Sequence, residues 1–244
     1  MREYLGAVCI IAGVTHAWPA SILAIVLGCA LLIGVATRWV AALAAVLLIV
    51  RDVMVFGWIP GPNPFMAFGL LAVTVALTST DRVWDWPVRG TAPVWGVVPA
   101  RIYYGFAFWR AAYNKIGPKW AAWPHALQSF GTMNLPHESP WYRAFMTTVV
   151  FPHVTLFAGL VATGEVAVGT CLILGLGTRV AAPIGAFLTF NYFLMKGDAL
   201  WSVSNDLAFV VGLTVVAIAG AGRVFGLDGL VATRHPIEQP AQGD

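Results

Sequence analysis

Two stretches of this chain carry one pattern: GCALLIGVATRWVA at 28–41 and GTCLILGLGTRVAA at 169–182. A shift of 141 residues lays Gly28 on Gly169, Leu31 on Leu172, Gly34 on Gly175, Thr37 on Thr178 and Arg38 on Arg179. The register holds further on, where Ala67-Phe68 meets Ala208-Phe209 and Arg82-Val83 meets Arg223-Val224. A shift of 99 aligns the preceding segments, Arg2, Gly6 and Ala12 with Arg101, Gly105 and Ala111, and sets His16 at the place of Lys115. The change of register falls in the connection 117–150. A fixed period of self-similarity is the mark of a duplicated structural unit. The alternative is that apolar helices with G-x-x-L-x-x-G spacing resemble one another everywhere.

The composition says where such units sit. Of 244 residues, 59% are hydrophobic and only 10% charged, with mean hydropathy +0.78. Soluble domains carry roughly a quarter charged residues, so a water-soluble enzyme, a disordered chain and a nucleic-acid binder are excluded. The net charge of +3 is too small to argue for an anionic partner. Eleven Trp and fourteen Phe suit ends that lie at lipid headgroups. The three cysteines, Cys9, Cys29 and Cys171, form no C-x-x-C and offer no dithiol pair.

Apolar stretches lie at about 3–17, 20–36, 39–57, 64–80, 101–117, 150–176, 179–197 and 206–222, close to the roughly 20 residues that cross a bilayer. The expectation is an all-α polytopic membrane protein with eight transmembrane helices, arranged as two parallel four-helix repeats. The first unit spans 1–90 and the second 91–230, with a long external loop at 117–150 and a tail at 231–244. No signal peptide is evident. Arg2, Arg38, Arg82, Arg89, Arg101, Arg179, Arg223 and Arg234 fall on one side, against Lys115, Lys119, Arg143 and Lys196 on the other. That bias places both termini in the cytoplasm and the chain in the cell (inner or plasma) membrane.

Several motifs of the second unit are recognisable in combination. They are Arg101-x-x-x-Gly105 leading to Asn114-Lys115, Trp141-Tyr142-x-x-Phe145 with Val150-x-Pro152, and Gly164-Glu165-x-x-x-Gly169. Leu174-Gly175-x-x-Thr178-Arg179, Asn191-Tyr192 and Ala221-Gly222-Arg223-x-x-Gly226-Leu227-Asp228 complete the set. Over about 101–230 the chain resembles the DoxX/DoxD family. The resemblance implies a redox setting: the membrane subunit associated with thiosulfate:quinone oxidoreductase, or the membrane anchor of a complex with soluble sulfurtransferase-like or antioxidant partners. Against that pattern the first unit is degenerate, with His16 in place of Lys115 and Ala24 in place of Glu165.

Ionisable groups at membrane depth are costly and mark candidate sites. Arg110 lies nine residues beyond Arg101, about 13–14 Å along a helix, and Glu165 lies roughly 16 Å into the antiparallel neighbour. An Arg110–Glu165 pair near the midplane is the expectation; the first unit has Ile11 and Ala24 there. The pair serves either as a lock between helices or as the polar end of a pocket for a quinone headgroup. Arg51 and Asp52 stand about 18–20 Å into the third apolar segment, replaced in the second unit by Tyr192 and Phe193. Lys115, Asn191, Lys196, Asp198 and Asp206 gather at a similar or more external depth, where Lys115, Lys119 and Lys196 have the alternative of snorkelling to headgroups. His125, His137, Glu138 and His153 match no metal spacing, and Trp120, Trp123 and Trp141 suit an interfacial anchor.

The leading expectation is an integral membrane subunit of a redox complex that anchors an oxidoreductase and binds quinone at Arg110, Glu165, Lys115, Asn191, Arg51 and Asp52. It is at most the quinone-linked subunit of an enzyme, with no haem, flavin or metal, and it has the bilayer and other subunits as partners. The rival is a non-catalytic accessory or assembly subunit of a larger complex. Transport is a third reading, weakened because Pro183 alone lies well inside a clear span.

Overall fold

The computed structural model describes residues 94–197 and 200–234, together with 26–27, 29–31, 33, 36–56 and 64–79. The expected first apolar segment with His16, most of the second including Ala24, and Arg82, Arg89, Asp198 and the last ten residues lie outside the described residues. All described elements are helical. α1 runs Thr37–Phe56 and α2 Pro64–Thr78. A 3-10 turn at Val94–Val97 leads into α3, Val98–Tyr113, where Pro99 occupies a first-turn position that needs no amide donor. A second 3-10 segment, Gly117–Ala122, precedes α4, Trp123–Asn134. α5, Pro140–Phe145, passes through a π turn at Met146–Val150 and a 3-10 turn at Phe151–His153 into α6, Val154–Leu174. α7 is Thr178–Lys196, α8 Leu200–Ala219 and α9 Leu227–Arg234.

These helices coincide with six of the eight apolar stretches. The shift of 141 carries α1 onto 178–197 and the end of α2 onto Ala219, the span of α7 and the end of α8. By length and composition one described helix can cross a membrane, the continuous Pro140–Leu174; Thr37–Val50 and Phe209–Ala219 are shorter apolar helices. The connection expected as a loop at 117–150 is instead almost wholly helical. Leu127, Tyr142, Met146, Val150, Ala158 and Met195 form a small core that fastens it to α6 and α7. The tail expected from 231 begins as helix, through Arg234.

α1 packs against α2, α7 against α8 and α3 against α6, while α2 against α8 joins the two halves. The main core runs from Leu31, Ala41 and Leu71 through Tyr104 and Phe108 to Leu172, Ala182 and Leu213. α3 and α6 cross where Gly105 faces Gly169. A Cβ on Gly169 would stand 3.0 Å from the Gly105 carbonyl oxygen and 3.1 Å from the Trp109 nitrogen. Small residues thus let two backbones touch, as helices in lipid require. Gly169→Leu is expected to cost about 1–3 kcal/mol by overpacking, read as a lower melting temperature in detergent.

The repeated G-x-x-T-R motif builds the turn below this crossing. Gly175, in the left-handed region at φ 65°, closes α6, and the Leu176 amide returns to the Cys171 carbonyl at 2.9 Å. Thr178 does not cap its own helix. The Asp228 carboxylate does so from α9, accepting from the Gly177 amide at 2.6 Å, the Thr178 amide at 3.1 Å and the Thr178 hydroxyl at 2.8 Å. Arg101, counted among the arginines that fall on one side, is 1% exposed and donates to the carbonyls of Ala221 (2.7 Å), Val224 (3.0 Å) and Phe225 (2.9 Å).

Partial burial on its own would push the Asp228 carboxyl up. The hydrogen bonds from Thr178 and Gly177, with Arg101 nearby, outweigh it and hold the group below the ordinary carboxylate range. A carboxyl with a depressed folded value stabilises the fold fully above its unfolded value, about 3.9, and loses that contribution as pH falls through the folded value. The melting temperature is therefore expected to drop as pH falls below about 4, and Asp228→Asn is expected to remove that part of the drop.

Candidate functional site

Above the glycine crossing, α3 presents Arg101, Tyr104, Phe108 and Ala112 to the interior at helical spacing, and Lys115 continues that stripe just past the helix end. α6 presents Ala158, Ala162, Glu165, Val168 and Leu172. The two stripes meet at an ion pair. Lys115 Nζ lies 2.6 Å from both Oε1 and Oε2 of Glu165. The pair is shielded, Lys115 8% and Glu165 1% exposed. Tyr192 of α7 donates to Glu165 Oε1 at 3.2 Å. Trp123 of α4 lies under the ammonium, 4.7 Å from ring centroid to Nζ, and its indole N–H donates to the Ala158 carbonyl at 3.0 Å. Tyr192 offers a second ring face at 5.5 Å.

A second ion pair, Lys196 with Asp206 at 2.9 Å, ties the end of α7 to α8. Both pairs border one cavity of about 460 Å³, walled otherwise by Phe108, Phe130, Phe209 and Thr189. Clefts of that size with apolar walls and a few convergent polar groups are the usual form of small-molecule sites. An ammonium has three donors. Two of those on Lys115 go to Glu165, and the third has no acceptor among the described residues. The site therefore holds one N–H, one phenol and one carboxylate beside flat aromatic walls.

The expected Arg110–Glu165 pair does not form. Arg110 is level with Glu165, since the Trp109 nitrogen sits against Gly169, but it points the other way. It lies on the exposed face of α3 with Phe106, Trp109 and Tyr113. Lys115 takes its place, and neither Lys115 nor Lys196 snorkels; Lys119 is exposed, bound to Asn114 Oδ1 at 3.0 Å and lying over the Tyr113 ring. Asn191 turns from the cavity, its amide donating to the Phe187 carbonyl at 2.8 Å. Arg51 and Asp52 lie in α1, and their side chains fall outside the described residues. Tyr192 and Trp123 were not singled out as binding residues by sequence. The signal for Tyr192 was its place beside Asn191, one residue away and on the inward face. Trp120 and Trp141 are exposed, as an interfacial anchor requires, whereas Trp123 faces inward.

The arrangement is that of an all-helical protein with a shielded ion-pair cluster set in an apolar cavity beside a helix able to cross a membrane. Residues 96–196 match the family model described as DoxX, and those residues contain Lys115, Trp123, Glu165 and Tyr192. This segment, residues 96–196, is a DoxX domain. No curated protein and no solved structure matches the chain.

Proposed function

We propose that the protein is the multi-pass membrane subunit of a redox complex, built from two parallel four-helix repeats with both termini cytoplasmic, and that its cavity takes a quinone headgroup. The observation that carries this reading is the Lys115 ammonium, which gives two donors to Glu165 and borders an aromatic-walled cavity with a phenol and a carboxylate alongside. A quinone supplies two carbonyl acceptors on a flat ring and takes up two electrons and two protons. Lys115 would donate to a carbonyl oxygen, Glu165 would hold a proton next to it, kept in place by the Tyr192 hydroxyl that already donates to it, and Phe108, Phe130 and Phe209 would exclude water. No electron carrier is supplied by these side chains, so electrons come from a partner oxidoreductase that the subunit anchors.

The rival reading, an accessory subunit, draws on the closeness of the Lys115–Glu165 pair, which satisfies both carboxylate oxygens without a ligand. Binding of a short-chain quinone to the full-length protein in nanodiscs separates the two. Wild type is expected to bind, and Lys115→Met to weaken binding about tenfold or more for one lost charged hydrogen bond. Ala111→Leu fills the cavity while leaving the ion pair intact and is expected to abolish binding. Arg110→Leu is expected to change nothing. A wild-type protein that binds no quinone defeats the reading and leaves the accessory role.

A further inference from the structure

Four helices close a ring around the cavity: α3 packs on α6, α6 on α7, α7 on α8, and α8 back on α3. Lys115–Glu165 bridges the α3–α6 edge of that ring, and Lys196–Asp206 bridges the α7–α8 edge. Those two edges are opposite one another, and the cavity lies between them. Along α7, Tyr192, which is bonded to Glu165, and Lys196 both line the cavity four residues apart, about 6 Å of helical rise. Among the described residues the charged lining of the cavity consists of these two pairs. The quinone contacts proposed above use only the first.

The space between the pairs has flat walls that are held still. Phe108 of α3 and Phe209 of α8 are both buried. Gly185 of α7 admits the Phe108 ring, which a Cβ there would meet at 3.0 Å. Phe209 is set edge-on against Tyr104, with ring centroids 4.9 Å apart. Thr189 spends its hydroxyl hydrogen on the Gly185 carbonyl at 2.9 Å, so it adds no donor to the wall. Polar groups therefore gather on two opposite sides. Each ion pair carries a donor and an acceptor together, since an ammonium only donates and a carboxylate accepts. In the second pair Lys196 Nζ lies 3.0 and 2.9 Å from the two Asp206 oxygens.

We infer, resting on the quinone reading, that Lys196 and Asp206 form the second end of the headgroup site. The cavity then selects para-quinones, whose two oxygens lie at opposite edges of the ring. In the oxidised form one carbonyl accepts from Lys115 and the other from Lys196. In the quinol the same oxygens carry hydroxyls, which donate to Glu165 and Asp206. Both redox forms thus keep one position beside Phe108 and Phe209, and only the direction of each hydrogen bond reverses. An ortho-quinone has both oxygens on one edge and meets one pair at a time.

Anthraquinone and phenanthrenequinone are isomers that differ in this respect. The first is para and the second ortho, and neither has an open alkene carbon for a lysine to attack. Their binding to the full-length protein in nanodiscs tests the second end. Wild type is expected to hold anthraquinone about tenfold more tightly, for one further charged hydrogen bond. Lys196→Met is expected to lose that tenfold while its affinity for phenanthrenequinone stays close to the wild-type value. This change leaves the buried Asp206 charge without its lysine. The double change Lys196→Met with Asp206→Leu removes both charges at little cost to the fold, and the same result is expected from it. Phenanthrenequinone binding reports that the cavity is intact. Equal or reversed affinities in wild type overturn the second end and leave the quinone reading standing. So does an anthraquinone preference that survives the double change, or an equal loss of both isomers in it. A wild type that binds neither isomer removes the quinone reading, and the second end with it.

Discussion

Lys115→Met is expected to lower the melting temperature of the purified protein by an amount on the order of 10 °C, from about 3–5 kcal/mol for one partner removed from a buried ion pair. Glu165 is the reason. It is 1% exposed and sits on α6 against Gly105-bearing α3, so it cannot turn outward; with Lys115 gone, only the Tyr192 hydroxyl remains to it. The reverse change is expected to be milder. Lys115 borders a second cavity, of about 540 Å³, on the outer side of α6 beside Trp120, Gly159 and Thr163. In Glu165→Leu the ammonium can swing into that space and reach water by its long stem. Replacing both, Lys115→Met with Glu165→Leu, is expected to restore most of the stability, because well-packed apolar groups of similar volume replace buried ion pairs at little cost. Thermal unfolding of the three variants measures the difference; equal losses in both single variants would show that Lys115 has no such escape.

Arg101→Met is expected to be as damaging, about 3–5 kcal/mol, although it stands far from the cavity. Its guanidinium joins the start of α3 to three carbonyls in the turn after α8, and its fork geometry fits several acceptors at once. Arg101→Lys is expected to recover about half, since a single ammonium cannot span the same three oxygens. Limited proteolysis gives a local readout: the turn at 221–226 is expected to become cleavable in Arg101→Met and not in Arg110→Leu.

These residues also show what a sequence of this kind reveals. Depth was legible: counting along helices put Arg110 and Glu165 at one level, and the structure agrees. Phase was not. In a chain this apolar every face is greasy, so hydrophobic periodicity no longer tells which side is inward. A usable signal did exist in the run Arg101, Tyr104, Phe108, Ala112 and Lys115, spaced three and four apart, which excludes Arg110 from the same stripe. Helices were legible because six apolar stretches have nearly the lengths of the helices they became. The connection at 117–150 was not, because its Pro, Trp and His content reads as loop. Its folding depends on contacts distant in sequence, such as Leu127 and Tyr142 against Ala158 and Met195. The bracing role of Arg101 was not legible either: an arginine near a span end is ordinarily a topology marker, and only the packed turn around it makes it a brace as well.

At the usual α-helical rise the 35 residues from Pro140 to Leu174 would extend about 52 Å, well beyond a hydrocarbon layer of about 30 Å. The run is jointed, however, by the π turn Met146–Val150, the 3-10 turn Phe151–His153 and the non-helical backbone of His153 (φ −121°, ψ 33°). Met146 and Val150 pack at that joint with Ala158 and Met195, so a load applied to Pro140–Phe145 would be taken up there before it reached the stretch that holds Glu165.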